Sequence, residues 1–275
     1  MADAFTLRPP SLLRQYVVLL RIGLSSALQY RTDFVLTAIG AICYEAVSLA
    51  FVGVVVFAFG GIGGWGLVEV AFVYGIRSMG HALHSFLSGQ LWATDRIVRD
   101  GEFDRYLLRP VDPLVQLLTR RFTVTAFGDL AFGLVVLVIT AAAAPIAWTG
   151  WTVTYLILAV IGSAVLESAV MLALSALSFR LLVSMPLLRV VDQVFVTFGP
   201  YPLSVFPRAV AYLLTFLLPL AYAAFFPAAV LLGRTDELFV PLWLALASPA
   251  IGVALYVLAV IFFRRQLRHY ASPGH

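Results

Sequence analysis

The sequence predicts an all-α membrane protein of one domain (residues 1–275) with six transmembrane helices. Three observations predict it. First, 62% of the 275 residues are hydrophobic and only 12% are charged, against about 45–50% and about 25% in soluble domains. Mean hydropathy is +0.98. A soluble fold of this size has no way to hide so much apolar surface, so soluble enzymes, disordered chains and nucleic-acid binders are excluded. The pI of 9.4 does not change this, because the basic residues flank apolar runs instead of sharing a face. Second, apolar runs of about 20 residues, the length that crosses a bilayer, recur along the chain. Third, most of the arginines fall in alternate loops.

The elements follow in order. The first ten residues are polar with a Pro pair and lack a cleavable signal pattern. In residues 11–30, Arg14, Arg21, Ser25 and Gln29 form one helical stripe, and Leu12, Leu13, Tyr16, Leu20, Leu24 and Leu28 cover the other faces. Such a helix lies in the membrane interface. Spans are expected at 34–59, 67–92, 122–144, 151–179, 187–205 and 240–263. The first is broken only by Glu45 and ends in the glycines of 60–66. Residues 206–232 continue apolar, but Pro207, Pro219 and Pro227 interrupt them. They are expected to form a broken, re-entrant element, which is tolerated at membrane depth only where protein or a cavity covers it.

Arg8, Arg14, Arg21 and Arg31 precede the first expected span. Arg96, Arg99, Arg105, Arg109, Arg120 and Arg121 follow the second, Arg180 and Arg189 the fourth, and Arg264, Arg265 and Arg268 the sixth. Only Arg208 and Arg234 fall on the opposite side, and Arg77 lies inside a span. The positive-inside rule then places both termini in the cytoplasm. All 18 basic residues are arginine. This excludes Schiff-base chemistry and a P-loop lysine, so the chain binds no nucleotide in that manner. The single cysteine, Cys43, allows no internal disulfide or cysteine metal cluster and is expected to be a buried filler within a span.

Charges inside spans are functional candidates because lipid makes them costly. Glu45, Glu69, Arg77, Asp129, Glu167 and Asp192 qualify. Glu69 sits near a span end. Asp129 and Asp192 are expected to bridge to Arg121 and Arg189. Glu45 and Glu167 sit deeper; they either line the route of a polar or cationic substrate or pair with Arg77 to join helices. His81 and His84 share a helical face, but without a third ligand they are read as packing hydrogen bonds, and no metal site is expected. No catalytic constellation is expected, since there is no Gly-x-Ser-x-Gly elbow and no Ser–His pairing. Trp65, Trp148, Trp151 and Trp92 are placed at span ends as an aromatic belt.

The loop at 95–113, DRIVRDGEFDRYLLRPVDP, mixes acids, arginines and the apolar residues Ile97, Val98, Phe103, Tyr106, Leu107 and Leu108. Apolar anchors rimmed by charge suit a protein partner. Gly101 permits a tight bend, and Pro110 and Pro113 are expected to stop a helix.

The run from Val98 to Pro110, with Gly101, Glu102, Phe103, Asp104, Tyr106, Leu107 and Arg109 inside it, resembles the signature of a subgroup of six-span "type 2" ATP-binding-cassette exporter permeases. So do Tyr201-Pro202, Pro207, the stretch through Pro219 to Tyr222, and Pro227. The resemblance implies an N-terminal elbow helix at 11–30 and a coupling helix in the loop that docks on a separate ATPase subunit. It also implies re-entrant extracellular helices that gate the substrate path. The implied complex has two ATPases and two permeases, the second identical or homologous, in a bacterial inner membrane. ATP and Mg would be held by the ATPase, with no cofactor bound by this chain. The competing readings are a stand-alone secondary transporter or channel, which the elaborate loop disfavours, and an intramembrane enzyme, which lacks a site.

Overall fold

The computed structural model describes residues 11–181 and 184–272. The polar N-terminal decapeptide with Arg8, two residues of the 180–189 connector and the last three residues lie outside the described residues. Among the described residues the fold is all helical, and its only β-type pairing is an isolated bridge between Ile62 and Trp65.

Helix α1 (Leu12–Ala27) starts where the Ser11 hydroxyl accepts from Arg14 N. It is exposed along most of its length, with Gln15 its one buried residue. Among the described residues, four later helices are long and apolar enough to cross a membrane: α2 (Arg31–Ala58), α7 (Thr125–Ala143), α8 (Gly150–Ala176, continued by a 3-10 turn to Phe179) and α13 (Ser248–Leu267). Helix α3 (Leu67–Ser88) has the length at 22 residues but carries Glu69, Arg77, His81 and His84. Between α3 and α7 lie three short helices: α4 (Thr94–Arg99), α5 (Asp104–Leu107) and α6 (Pro113–Leu118). Pro113 therefore begins a helix instead of ending one, because a proline at the first helical position forfeits no hydrogen bond. Asp112 caps that helix from the preceding position.

Helix α2 packs on α7, α7 on α3, α3 on α8, and α8 on α13. Glycines allow the helices to approach closely. A Cβ on Gly162 would stand 2.5 Å from Pro249 Cα of α13, and one on Gly75 would stand 3.0 Å from Leu137 Cα of α7. Small residues at crossings are how helices gain van der Waals contact where lipid supplies no hydrophobic drive. The outward faces are apolar: Phe57 of α2 is 87% exposed. Cys43, expected inside the protein, is on the exposed face of α2. A thiol is apolar enough to face lipid tails, so hydropathy alone did not separate the two placements.

The fifth expected span differs most. Helix α9 covers only Met185–Phe198, 14 residues, or about 21 Å, and the chain then turns through Pro200 and Pro202 to a 3-10 turn at Leu203–Val205. Helix α10 (Arg208–Phe216) runs back into the bundle. Its tip, Leu217 to Pro219, meets Ala173 and Leu174 of α8, Val191 of α9 and Ala259 of α13 around an apolar cavity of about 510 Å³. A 3-10 turn at Leu220–Tyr222 and α11 (Phe225–Leu231), both deeply buried, lead back out. The stretch expected as span six begins with α12 (Leu242–Leu246) and breaks at Ala247 before α13, where Pro249 occupies the first turn.

Candidate functional site

A polar seam crosses the middle of the bundle. Tyr74, Arg77 with its neighbour Ser78, His81, His84 and Ser88 recur at three- or four-residue steps along α3, one helical face. Arg77 lies about 15 Å along the axis from either end of α3. Its guanidinium forms a fork with Glu167 of α8: Nη1 donates to Oε2 at 2.8 Å and Nη2 to Oε1 at 3.2 Å. The two residues are 4% and 1% exposed. His81 Nδ1 also meets Glu167 Oε1 at 2.7 Å. Phe195 of α9 puts its ring 5.6 Å from the Arg77 guanidinium carbon, and Arg77 Nε has no hydrogen-bond partner among the described residues. One turn further, His84 Nδ1 meets Ser168 Oγ at 2.8 Å, and Ser88 reaches the same hydroxyl at 3.1 Å. Of the two roles left open for Glu167, pairing with Arg77 is what the geometry provides. The histidines make packing hydrogen bonds, and no cluster of three potential metal ligands occurs among the described residues.

Glu45 of α2 does not join Arg77. Its Oε2 accepts from Tyr74 Oη at 2.7 Å and from Ser78 Oγ at 2.9 Å. Next to it opens a cavity of about 420 Å³ between α2, α3 and the end of α9, walled by Tyr44, Phe51, Tyr201 and Thr197, with Arg77 and His81 on its inner side. Glu45, Arg77 and His81 therefore converge on one space, while Glu167 sits one residue behind it. Asp129 and Asp192 have no salt-bridge partner among the described residues, so their expected pairs with Arg121 and Arg189 do not form. The sequence reading missed Tyr74 and Ser168, although the polar stripe on α3 was a usable signal for Tyr74.

At the arginine-rich end, α4 and α5 form a hairpin turned by Gly101 at φ +69°, a backbone region that favours glycine. Phe103 follows the turn and is fully buried. Its ring stacks on Tyr106 and meets Phe179 at the end of α8 and Tyr270 beyond α13, with centroids 5.0 to 5.5 Å away. Phe103 therefore does not offer its ring to a partner, as the sequence reading supposed; it fixes the hairpin to the spans. Asp104 accepts from Tyr270 Oη at 2.9 Å and from Ser272 Oγ at 2.7 Å. Asp95 accepts from Ser184 N at 2.9 Å, just before α9. Burial first, and then the Asp104 carboxylate, push the Tyr270 hydroxyl up to about 12. Glu102 pairs with Arg120 at 2.7 Å. Tyr106 and Val98 are buried, whereas Leu107 is 50% and Leu108 85% exposed, with Arg105, Arg109 and Pro110 exposed around them.

At the far end, Gly60, Gly61, Gly63 and Gly64 all take positive φ in the turn before α3. The turn buries Trp65, which is 0% exposed and donates its indole N–H to Glu237. Trp65 is thus a core residue and not part of an aromatic belt, while Trp148 and Trp151 are exposed. Arg234 donates to Glu69 at 2.7 and 2.8 Å, to Glu237 at 2.7 Å and to the Gly64 carbonyl at 2.7 Å. Ser204 also donates to Glu237. Burial raises the Glu237 carboxyl, but the Trp65, Ser204 and Arg234 hydrogen bonds outweigh it and hold the group below the usual carboxylate range. This cluster ties the start of α3 to the segments before α10 and after α11. Of the expected gate residues, Pro202 and Pro207 begin the inward run, Pro219 is at its tip, Tyr222 and Pro227 are buried on the return, and Tyr201 faces the Glu45 cavity.

A family model described as "ABC-2 family transporter protein" matches residues 42–274. No curated protein and no solved structure matches the chain. The match takes in α3 to α13 and most of α2, including the polar seam, the hairpin and the re-entrant stretch.

Proposed function

We propose, from the premise that this chain belongs to the ABC-2 transporter family and is a multi-pass permease of an ABC transporter, that it forms half the pathway of an ATP-driven exporter. Members of the family normally work with an ATPase subunit. In this reading two ATPases bind ATP and Mg and dock on the α4–α5 hairpins of two permeases, identical or homologous. In the same reading α3 and the short α9 complete six membrane segments, and both termini face the cytoplasm of a bacterial inner membrane. Helix α1 serves as the elbow, and residues 199–241 form the extracellular gate. Glu45, Arg77 and His81 line the route on the inner wall of the α2–α3–α9 cavity.

The observation that carries this reading is the hairpin's construction. It is anchored from within by Phe103 and Asp104 and presents Leu107 and Leu108 outward among Arg105 and Arg109. Unpaired leucines in a charged rim suit a groove in a soluble partner, and the aromatic cluster gives a push on them a rigid path to α8 and α13.

The test is purification of the tagged chain with its chromosomal neighbours in nanodiscs, followed by measurement of vanadate-sensitive ATP hydrolysis. An ATPase recovered at one copy per permease, and lost in Leu107→Ser/Leu108→Ser, is expected. A chain that purifies alone, shows no ATPase activity and drives proton- or sodium-coupled uptake would overturn the reading in favour of a secondary carrier.

A further inference from the structure

A separate cleft lies away from the polar seam and from the Arg234 cluster. It holds about 780 Å³ between α1, the hairpin and the start of α7, at the arginine-rich end. One wall is α1, which contributes Leu19, Ile22 and Ser26. The lining also carries Tyr30, Arg109, Arg120 and Arg121. Helix α1 is fastened over the cleft: Tyr16 Oη donates to the Leu87 carbonyl at 2.8 Å, Asp112 N donates to Gln15 Oε1 at 3.4 Å, and Gly23 lies against Phe122. The cleft is therefore a built space and not a gap beside a loose tail.

Its charge is unbalanced. Arg120 is committed to Glu102 at 2.7 Å. Arg109 and Arg121 have no ion-pair partner among the described residues. The one carboxylate on the lining is Asp33, in the first turn of α2. Two unpaired guanidiniums, an apolar helix beside them and a lone carboxylate acceptor describe the headgroup and upper tail of one kind of ligand. We infer that this cleft binds an anionic phospholipid with a glycerol headgroup. Arg109 and Arg121 hold the phosphate, Asp33 accepts from the headgroup hydroxyls, and the acyl chains run along Leu19 and Ile22 of α1. Guanidinium forks match phosphate geometry, and basic pockets at the membrane surface are where such headgroups bind. The inference rests on the arginine-rich end facing a leaflet surface; it does not rest on ATP-driven transport, and its test needs no ATPase.

The experiment is native mass spectrometry of the purified chain titrated with phosphatidylglycerol, phosphatidylcholine or soluble glycerol 3-phosphate. Wild type should retain one phosphatidylglycerol per chain in preference to phosphatidylcholine. At about fivefold per arginine near a membrane surface, Arg109→Gln/Arg121→Gln should weaken that binding about 30-fold. Arg265→Gln, at the end of α13 and off the cleft lining, should leave it unchanged, which separates a site from general basicity. Unchanged size-exclusion behaviour of the double variant supports loss of a site and excludes loss of the fold. Equal retention of phosphatidylcholine, undiminished binding in the double variant, or glycerol 3-phosphate binding as tightly as the lipid would each overturn the proposal, the last in favour of a soluble phosphate site.

Discussion

Replacing Glu167 by glutamine should be among the most damaging single changes in this protein. The carboxylate is 1% exposed, receives both terminal nitrogens of Arg77 and meets His81. Its loss strands the Arg77 guanidinium, whose Nε already lacks a partner, about 15 Å from either end of α3. An arginine side chain cannot snorkel that far. Breaking a buried pair by deleting one partner costs about 3–5 kcal/mol. Arg77→Met should cost less, about 1–3 kcal/mol, because Glu167 keeps the His81 contact. The double variant Arg77→Met/Glu167→Leu removes both charges and should fall within about 1 kcal/mol of wild type, as apolar replacement of buried ion pairs often does. With Glu167→Leu as the second single variant, at a cost like that of Glu167→Gln, wild type, Arg77→Met, Glu167→Leu and the double form a cycle whose coupling term should be about 3–7 kcal/mol. Unfolding by SDS titration in mixed micelles measures each corner. Simple additivity, or a loss under about 1 kcal/mol in Glu167→Gln, would refute the pair as a stabilising link between α3 and α8.

Three other outcomes follow from the geometry. Phe103→Ala removes a fully buried ring and should cost the isolated chain about 3–5 kcal/mol, read as a lowered thermal midpoint, whereas Leu108→Ser, at 85% exposure, should stay within about 0.5 kcal/mol. Gly101→Val forces a β-branched residue to φ +69° and should destabilise the hairpin by about 1–2 kcal/mol or more, seen as faster proteolysis between residues 95 and 113. Glu237 has a folded pKa below its unfolded value of about 4.3. The stability it contributes is therefore fully present above that pH and is lost as pH falls through the folded pKa. Glu237→Gln should flatten the acid limb of a stability profile while leaving the neutral region to report the lost hydrogen bonds.

The sequence made the helical class and the apolar segments legible because bilayer length and composition are one-dimensional signals. The interruptions were partly legible: prolines marked the 206–232 stretch, but not that α9 would stop at Phe198 or that α12 would break from α13 at Ala247. Those ends depend on what the chain packs against. Side-chain partners were the least legible. Arg77 with Glu167 was one of two open alternatives, and nothing local distinguished Glu45, which is bonded to Tyr74 and Ser78. Trp65 and Phe103 show the limit most clearly. Each lies beside glycines and charges that mark an exposed turn, and each is buried by residues more than 70 positions away, Glu237 and Phe179 among them. A window of sequence holds no record of such contacts.

On the proposed reading the three clusters have a mechanical relation. The hairpin is tied to the start of α9 through Asp95 and Ser184, to the end of α8 through Phe103 and Phe179, and to the end of α13 through Tyr270. Those three helices also surround the re-entrant tip at Leu217 to Pro219. The far-end cluster instead ties the same re-entrant stretch to the start of α3. Between the two ends, α3 and α8 are pinned at mid-height by Arg77 and Glu167. A push on Leu107 and Leu108 therefore acts on α8, α9 and α13 at one end, while a pin at the centre resists their separation from α3. Displacement at the pushed end must then appear as tilt about the pin, and it loads the Arg234 cluster at the opposite end. Arg77→Met/Glu167→Leu should consequently preserve the fold and ATPase docking while reducing the transport obtained per ATP hydrolysed, because stability and leverage are separate duties of one ion pair.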